Sequence, residues 1–124
     1  MSRGHGICIG IVGGGVSGSS LFCQLMDQLL QSPREQQITI HWWESSDKFG
    51  PGLAWGDQNS DVHLFNFPAG VVSLLPGRFG EFLSWCRDHG VEADFNSYPP
   101  RNTLGPFLEN YVKVNGTLYL EIIV

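Results

Sequence analysis

Apolar residues change their spacing twice before residue 45. Ile7-Cys8-Ile9-Gly10-Ile11-Val12 is a short continuous apolar run of the kind a buried strand uses. From about Ser17 to Leu30 the spacing becomes helical, with Leu21, Leu25 and Leu29 on one stripe and Phe22 and Met26 beside it. Pro33 prevents further helix, because it has no N–H to donate and its ring collides with the preceding turn. Ile38-Thr39-Ile40-His41-Trp42-Trp43 then returns to the β-branched and aromatic composition of a strand. Two strands joined through a helix should lie parallel with a right-handed crossover.

Beyond the second strand the pattern loosens. No long helix is legible from Ser45 to Gly77, where Gly50, Gly52, Gly56, Gly70 and Gly77 alternate with Pro51, Pro68 and Pro76. A loop of this length is unusual in a compact domain and points to function. It is also apolar: Leu53, Trp55, Leu64, Phe65, Phe67, Val71, Val72, Leu74 and Leu75 need burial against protein or ligand. Helical spacing resumes from Arg78 to His89, with Phe79, Phe82, Leu83 and Cys86 on one face, Trp85 at its margin and Gly90 at the C′ position. Val91 to Pro100 reads as a loop. A last helix can start at Thr103, with Leu104, Phe107, Leu108 and Tyr111 on one face and Pro106 in the first turn. The end reads two ways, since Val112-Lys113-Val114, Asn115-Gly116 and Thr117-Leu118-Tyr119 also fit a hairpin, and Leu118 to Val124 is strand-like. The fold class expected is α/β: an incomplete Rossmann-like βαβ unit, a long glycine- and proline-rich loop and two further short helices.

The 124 residues suffice for one domain with one core, and a 42% hydrophobic content makes it globular. A net charge of −5, without a basic face, argues against nucleic acid and anionic lipid as partners. The longest apolar run is too short to span a membrane. The stretch after Arg3 lacks a signal-peptide cleavage pattern and serves better as a strand. Cys8, Cys23 and Cys86 are far apart and lie on apolar patterns, which suggests buried reduced thiols and a cytoplasmic protein. His5, His41, His63 and His89 have no metal-ligand spacing.

The first strand runs into Gly13-Gly14-Gly15-Val16-Ser17-Gly18, a GxGxxG turn opening a helix. Gly13 permits the tight turn, Gly15 lets a pyrophosphate approach the backbone, and Gly18 lets helix and strand pack closely. With Gly14, Val16 and Ser17 they make a turn and helix start that offer N–H groups and a partial positive charge to phosphates. Glu44 ends the second strand, 26 positions after Gly18 against an expected spacing of about 20. The surplus fits the polar connection from Ser32 to Gln37. An acid there can accept hydrogen bonds from an adenosine ribose and would repel a 2′-phosphate.

Further motifs occur in order: Gly50-Pro51-Gly52-Leu53-Ala54-Trp55, His63-Leu64-Phe65-Asn66-Phe67-Pro68-Ala69-Gly70, Phe82-Leu83-Ser84-Trp85, and Pro100-Arg101-Asn102-Thr103-Leu104-Gly105-Pro106-Phe107. As a set, to about Tyr111, they resemble the N-terminal part of the FAD/NAD(P)-binding proteins grouped with a flavin-dependent urate hydroxylase and an aspartate N-monooxygenase. The resemblance implies FAD at the glycine turn, Glu44 on the adenosine ribose, the Gly50 to Ser73 loop on the flavin side, and NAD(P)H as reductant in the intact protein. It also implies that residues 1–124 are the FAD/NAD(P)-binding domain of a longer flavoprotein, monooxygenase-like, whose chemistry the cofactor carries. Phe65 and Phe67 depart from the smaller residues usual there, and Val72 from methionine. No catalytic residue can be assigned. His63 is a candidate acid or base by residue type, but the reading that it fixes the loop by hydrogen bonds outweighs this, and Asn66 has the same status; Arg101 can meet a phosphate or carboxylate or make a structural salt bridge. The readings left open are a nicotinamide-binding unit without flavin and a non-catalytic, truncated nucleotide-binding or interaction remnant. On the leading reading the 124-residue chain alone is not a competent enzyme.

Overall fold

The computed structural model describes residues 6–32 and 36–119, with side chains through Val114. Strand β1 (Ile7–Val12) leads into helix α1 (Val16–Gln31), and strand β2 (Ile38–Trp43) pairs parallel to β1 from Ile7↔Ile38 to Val12↔Trp43. This is the expected βαβ unit. The polar link at Pro33 lies outside the described residues.

Side-chain alternation gives the two sheet faces different fates. Ile9, Ile11, Ile40 and Trp42 pack with Phe22, Cys23 and Met26 of α1 and with Leu75. The opposite face shows Cys8, Val12, His41 and Trp43 exposed, with Val12 at 86%. Cys8 is therefore not a buried thiol, as its apolar neighbours suggested; an apolar run does not say which face of a strand is covered. The stripe on α1 is also rotated from the expected one. Ser19, Phe22, Cys23 and Met26 are buried, whereas Leu21 is 55% exposed. The leucines share a helical period with one another, but the larger Phe22 and Met26 take the sheet side.

The long loop contains a four-residue helix, α2 (Gly52–Trp55), and a 3₁₀ turn at Ala69–Val71. Gln58 and Asn59 hold α2, their side-chain amides donating to the Leu53 carbonyl at 2.6 and 3.0 Å. The loop then runs antiparallel along residues 95–101. Phe65 N–H donates to Pro99 O, Ala69 N–H to Ser97 O and Gly70 N–H to Phe95 O. A segment rich in glycine and proline thus satisfies its backbone against a second irregular segment.

Helix α3 spans Glu81–Asp88, shorter than the expected Arg78 to His89. Gly80 precedes it at φ 93°, a left-handed conformation that breaks helical continuity. Phe79 therefore sits before the helix, 68% exposed rather than on its buried face. A 3₁₀ turn at Arg101–Thr103 enters helix α4 (Leu104–Tyr119), which replaces the alternative hairpin. Val112 is 7% exposed and Val114 53%. In a strand both would point the same way; in a helix only Val112 continues the face of Leu104, Phe107 and Leu108. Residues 120–124 of the strand-like run lie outside the described residues.

The main core joins Phe65, Ala69, Leu74, Phe82, Cys86, Leu104, Phe107 and Leu108. Phe65 and Phe67 are built into it: Phe65 lies 5.2 Å from Trp55, 5.3 Å from Phe67 and 5.6 Å from Phe82, ring centre to ring centre. Tyr111 packs against both this core and the one beneath the sheet.

Candidate functional site

At the C-terminal end of β1 the backbone turns through Gly13 at φ 99°, a conformation other residues rarely adopt. Its N–H donates to Trp43 O and its carbonyl accepts from Trp42 Nε1, both at 2.8 Å, so the turn is pinned to the end of β2. Helix α1 then starts directly against the turn. A Cβ on Gly18 would overlap the Gly13 carbonyl oxygen, so glycine is the residue that allows this approach.

Gly15 is the N-cap of α1, and no side chain caps the helix. The first intrahelical donor to reach back is Ser19 N–H, to Gly15 O at 2.9 Å. The N–H groups of Val16, Ser17 and Gly18 precede it in the turn whose donors have no intrahelical acceptor. No acidic residue occupies that first turn.

Glu44 is fixed by the same turn. Its Oε1 accepts from Gly14 N–H at 3.0 Å; its Oε2 accepts from Ser46 N–H at 3.0 Å and from the Ser46 hydroxyl at 2.8 Å. The Ser46 and Gly14 N–H groups, then the Ser46 hydroxyl, hold the carboxyl below its ordinary value. Gly14 is buried at this junction. A Cβ there would lie 2.7 Å from Phe49 and 2.9 Å from Glu44, a constraint that the spacing of the glycines did not reveal.

These elements form one side of a cleft of about 1020 Å³. Gly13, Gly15, Val16, Ser17, Gly18 and Glu44 line it, with Gly14 beneath. The other side is α2 with Gly56, Asp57 and Gln58, and Gly105, Pro106 and Glu109 at the start of α4. Of the Gly50 to Ser73 stretch expected on the flavin side, only Pro51 to Gln58 reach the cleft; Phe65 and Ala69 turn into the core instead. Lys48, in the turn after Glu44, also lines it and pairs with Asp57 across the mouth at 3.7 Å. Neither was singled out from sequence. A cation four positions after the strand-end acid was the available signal.

His63, Asn66 and Arg101 lie outside the cleft lining. The His63 carbonyl accepts from Arg101 N–H at 2.7 Å, and Arg101 Nε donates to Leu64 O at 3.1 Å. The Arg101 guanidinium also sits 5.4 Å from the centre of the Trp55 ring. Arg101 thereby secures the loop and braces a wall residue. Cys23 is no nucleophile at neutral pH: burial first, and Glu81 second, push its thiol up to about 11. The cleft offers donors, a shaped wall and a fixed acid, the equipment of binding and orientation.

No curated protein matches the chain closely enough to count as a relative. Residues 10–116 match the FAD-NAD(P)-binding family. The matched stretch runs from β1 into α4 and includes the glycine turn, Glu44 and the whole cleft wall. The chain belongs to this family and carries its dinucleotide-binding region.

Proposed function

We propose that this chain is the FAD-binding N-terminal region of a flavin-dependent oxidoreductase, monooxygenase-like and cytoplasmic, that uses NAD(P)H as reductant in the intact protein. The observation that carries the reading is the facing of an uncapped helix start and a fixed acid, across one cleft, by the Pro51 to Gln58 segment. The N–H groups of Val16, Ser17 and Gly18 suit a pyrophosphate. Glu44 suits the adenosine ribose and disfavours a 2′-phosphate. The apolar wall of Leu53, Ala54, Trp55 and Pro106 suits a flat ring system on the far side. When bound, the flavin supplies the redox chemistry; the residues here bind it, orient it and exclude water.

Titration of the purified chain with FAD, followed by flavin fluorescence and the flavin absorption band, tests the reading. Saturable binding of FAD in preference to NAD is the expected result. In Gly15→Val it should be lost with the fold intact. A Cβ at Gly15 meets only Gly52 Cα, at 3.5 Å, an ordinary contact, while the branched methyls would occupy the cleft. Preference for NAD over FAD, or full FAD binding by that variant, would overturn it.

A further inference from the structure

The charges lining the cleft are poorly matched to an anionic ligand. Among the described residues, Glu44, Asp47, Asp57 and Glu109 supply four carboxylates to the lining, and Lys48 is its one cationic side chain. Three of these acids already have partners. Glu44 is held by Gly14 and Ser46, Glu109 accepts from Lys113 Nζ at 2.9 Å, and Asp57 pairs with Lys48 itself. The Lys48–Asp57 pair differs from the other two. It is long, at 3.7 Å, and joins side chains that are 48% and 87% exposed, a geometry in which an ion pair adds little to stability. The four-carbon stem of Lys48 leaves its ammonium free to choose among nearby anions.

We propose that Lys48 is a phosphate-binding residue that exchanges partners, leaving Asp57 for a phosphate of the dinucleotide when the cleft fills. The proposal rests on the dinucleotide reading of the cleft and adds to it a residue and a competition. A pyrophosphate carries more charge than a carboxylate, would sit in the same cleft as Lys48, and would compete for its ammonium through charge-assisted hydrogen bonds. Asp57 then acts as an internal competitor. It holds Lys48 in the empty cleft and lowers the affinity of a ligand that must displace it. If the pair were instead a clasp that shapes the cleft mouth, losing either partner would have the same consequence.

Single and double variants separate the two cases. ADP binding is measured by calorimetry at two salt concentrations, with adenosine as the phosphate-free control and thermal unfolding as the check on folding. Lys48→Met should weaken ADP binding about tenfold, leave adenosine binding unchanged and flatten the salt dependence. Lys48→Arg should restore most of the affinity. Asp57→Asn should tighten ADP binding several-fold, and that gain should disappear in the Lys48→Met background, which excludes a general effect of removing one negative charge. Weakening by both single variants, an unchanged affinity in Lys48→Met, or an Asp57→Asn gain that survives in the double variant would each overturn the exchange while leaving the dinucleotide reading standing. Failure of the unaltered chain to bind FAD, ADP or NAD would overturn both.

Discussion

Gly18 and Glu44 show how single residues set the cleft. The overlap between a Gly18 Cβ and the Gly13 carbonyl involves backbone, which has little freedom to give. Gly18→Ala should therefore destabilise the chain by about 1–3 kcal/mol, the usual range for overpacking a tight contact. Urea unfolding checks this; a wild-type midpoint would mean that α1 can move off the turn without penalty. Glu44 carries a pH signature. Hydrogen bonds from Ser46 and Gly14 lower its pKa in the folded chain, so the carboxylate binds protons less readily there than when unfolded. Its contribution should be complete above the ordinary carboxylate range and decline as pH falls through the lowered value. Glu44→Gln should flatten the acid side of a stability–pH profile measured by urea unfolding, and an unchanged acid limb would show that these bonds do not couple to folding. The glycines and the acid were legible in the sequence because each occupies a fixed place between a strand and a helix. The bond between Gly14 and Glu44 was not, since it depends on how two loop ends meet in space. Lys48 and Asp57 were missed for the same reason: their pairing spans two turns with no periodic pattern.

At the scale of elements, the far wall of the cleft depends on a core that does not touch the ligand site. Phe82 is fully buried on α3, stacked 5.6 Å from Phe65 and edge-on 5.3 Å from Phe107. It thereby links α3, the loop and α4. Phe82→Ala should cost about 3–5 kcal/mol, as for other buried aromatic truncations. It should also loosen the Phe65 to Gly70 stretch that packs beneath Trp55 of the wall more than the glycine turn. Hydrogen exchange would show this as earlier loss of protection at Phe65 and Ala69 than at Gly13; equal loss at both would mean that the two sides of the cleft unfold together. The strand–helix–strand order and the parallel pairing were readable because the hydrophobic period changes with each element. The orientation of α1 was not, because Leu21, Leu25 and Leu29 form as regular a stripe as the face that is buried, and only side-chain size favours Phe22 and Met26. The start of α3 was displaced by the backbone at Gly80, and α4 was distinguishable from a hairpin only by the opposite burial of Val112 and Val114.

For the whole molecule, the two sides of the cleft rest on two hydrophobic clusters that meet at the glycine turn, where Val16 packs against the cluster of Phe65, Phe82 and Phe107. The glycine turn and Glu44 rise from the sheet and α1, which pack around Ile11, Phe22 and Met26; α2 and the start of α4 rest on the cluster of Phe65, Phe82 and Phe107. Tyr111 packs against both, and α1 also lies along α4. A two-stranded parallel sheet with an exposed outer face contributes modestly by itself, because such sheets gain their stability from cover on both faces. A dinucleotide across the cleft would contact both sides at once and stabilise the chain as one unit. At a free concentration of 100 times its Kd, FAD should raise the unfolding free energy by about 2.7 kcal/mol through mass action alone. The gain should appear equally in probes of the sheet side and of the α3–α4 side. In Gly15→Val it should vanish, because the branched side chain would fill the cleft at the glycine turn, while its Cβ makes only an ordinary 3.5 Å contact with Gly52 Cα. Hydrogen exchange with and without FAD, read at Ile9 and Ile11 for the sheet side and at Phe82 and Leu108 for the α3–α4 side, provides both measurements. Stabilisation confined to one probe would mean that the ligand rests on one wall, and an equal gain in Gly15→Val would place FAD outside the glycine turn.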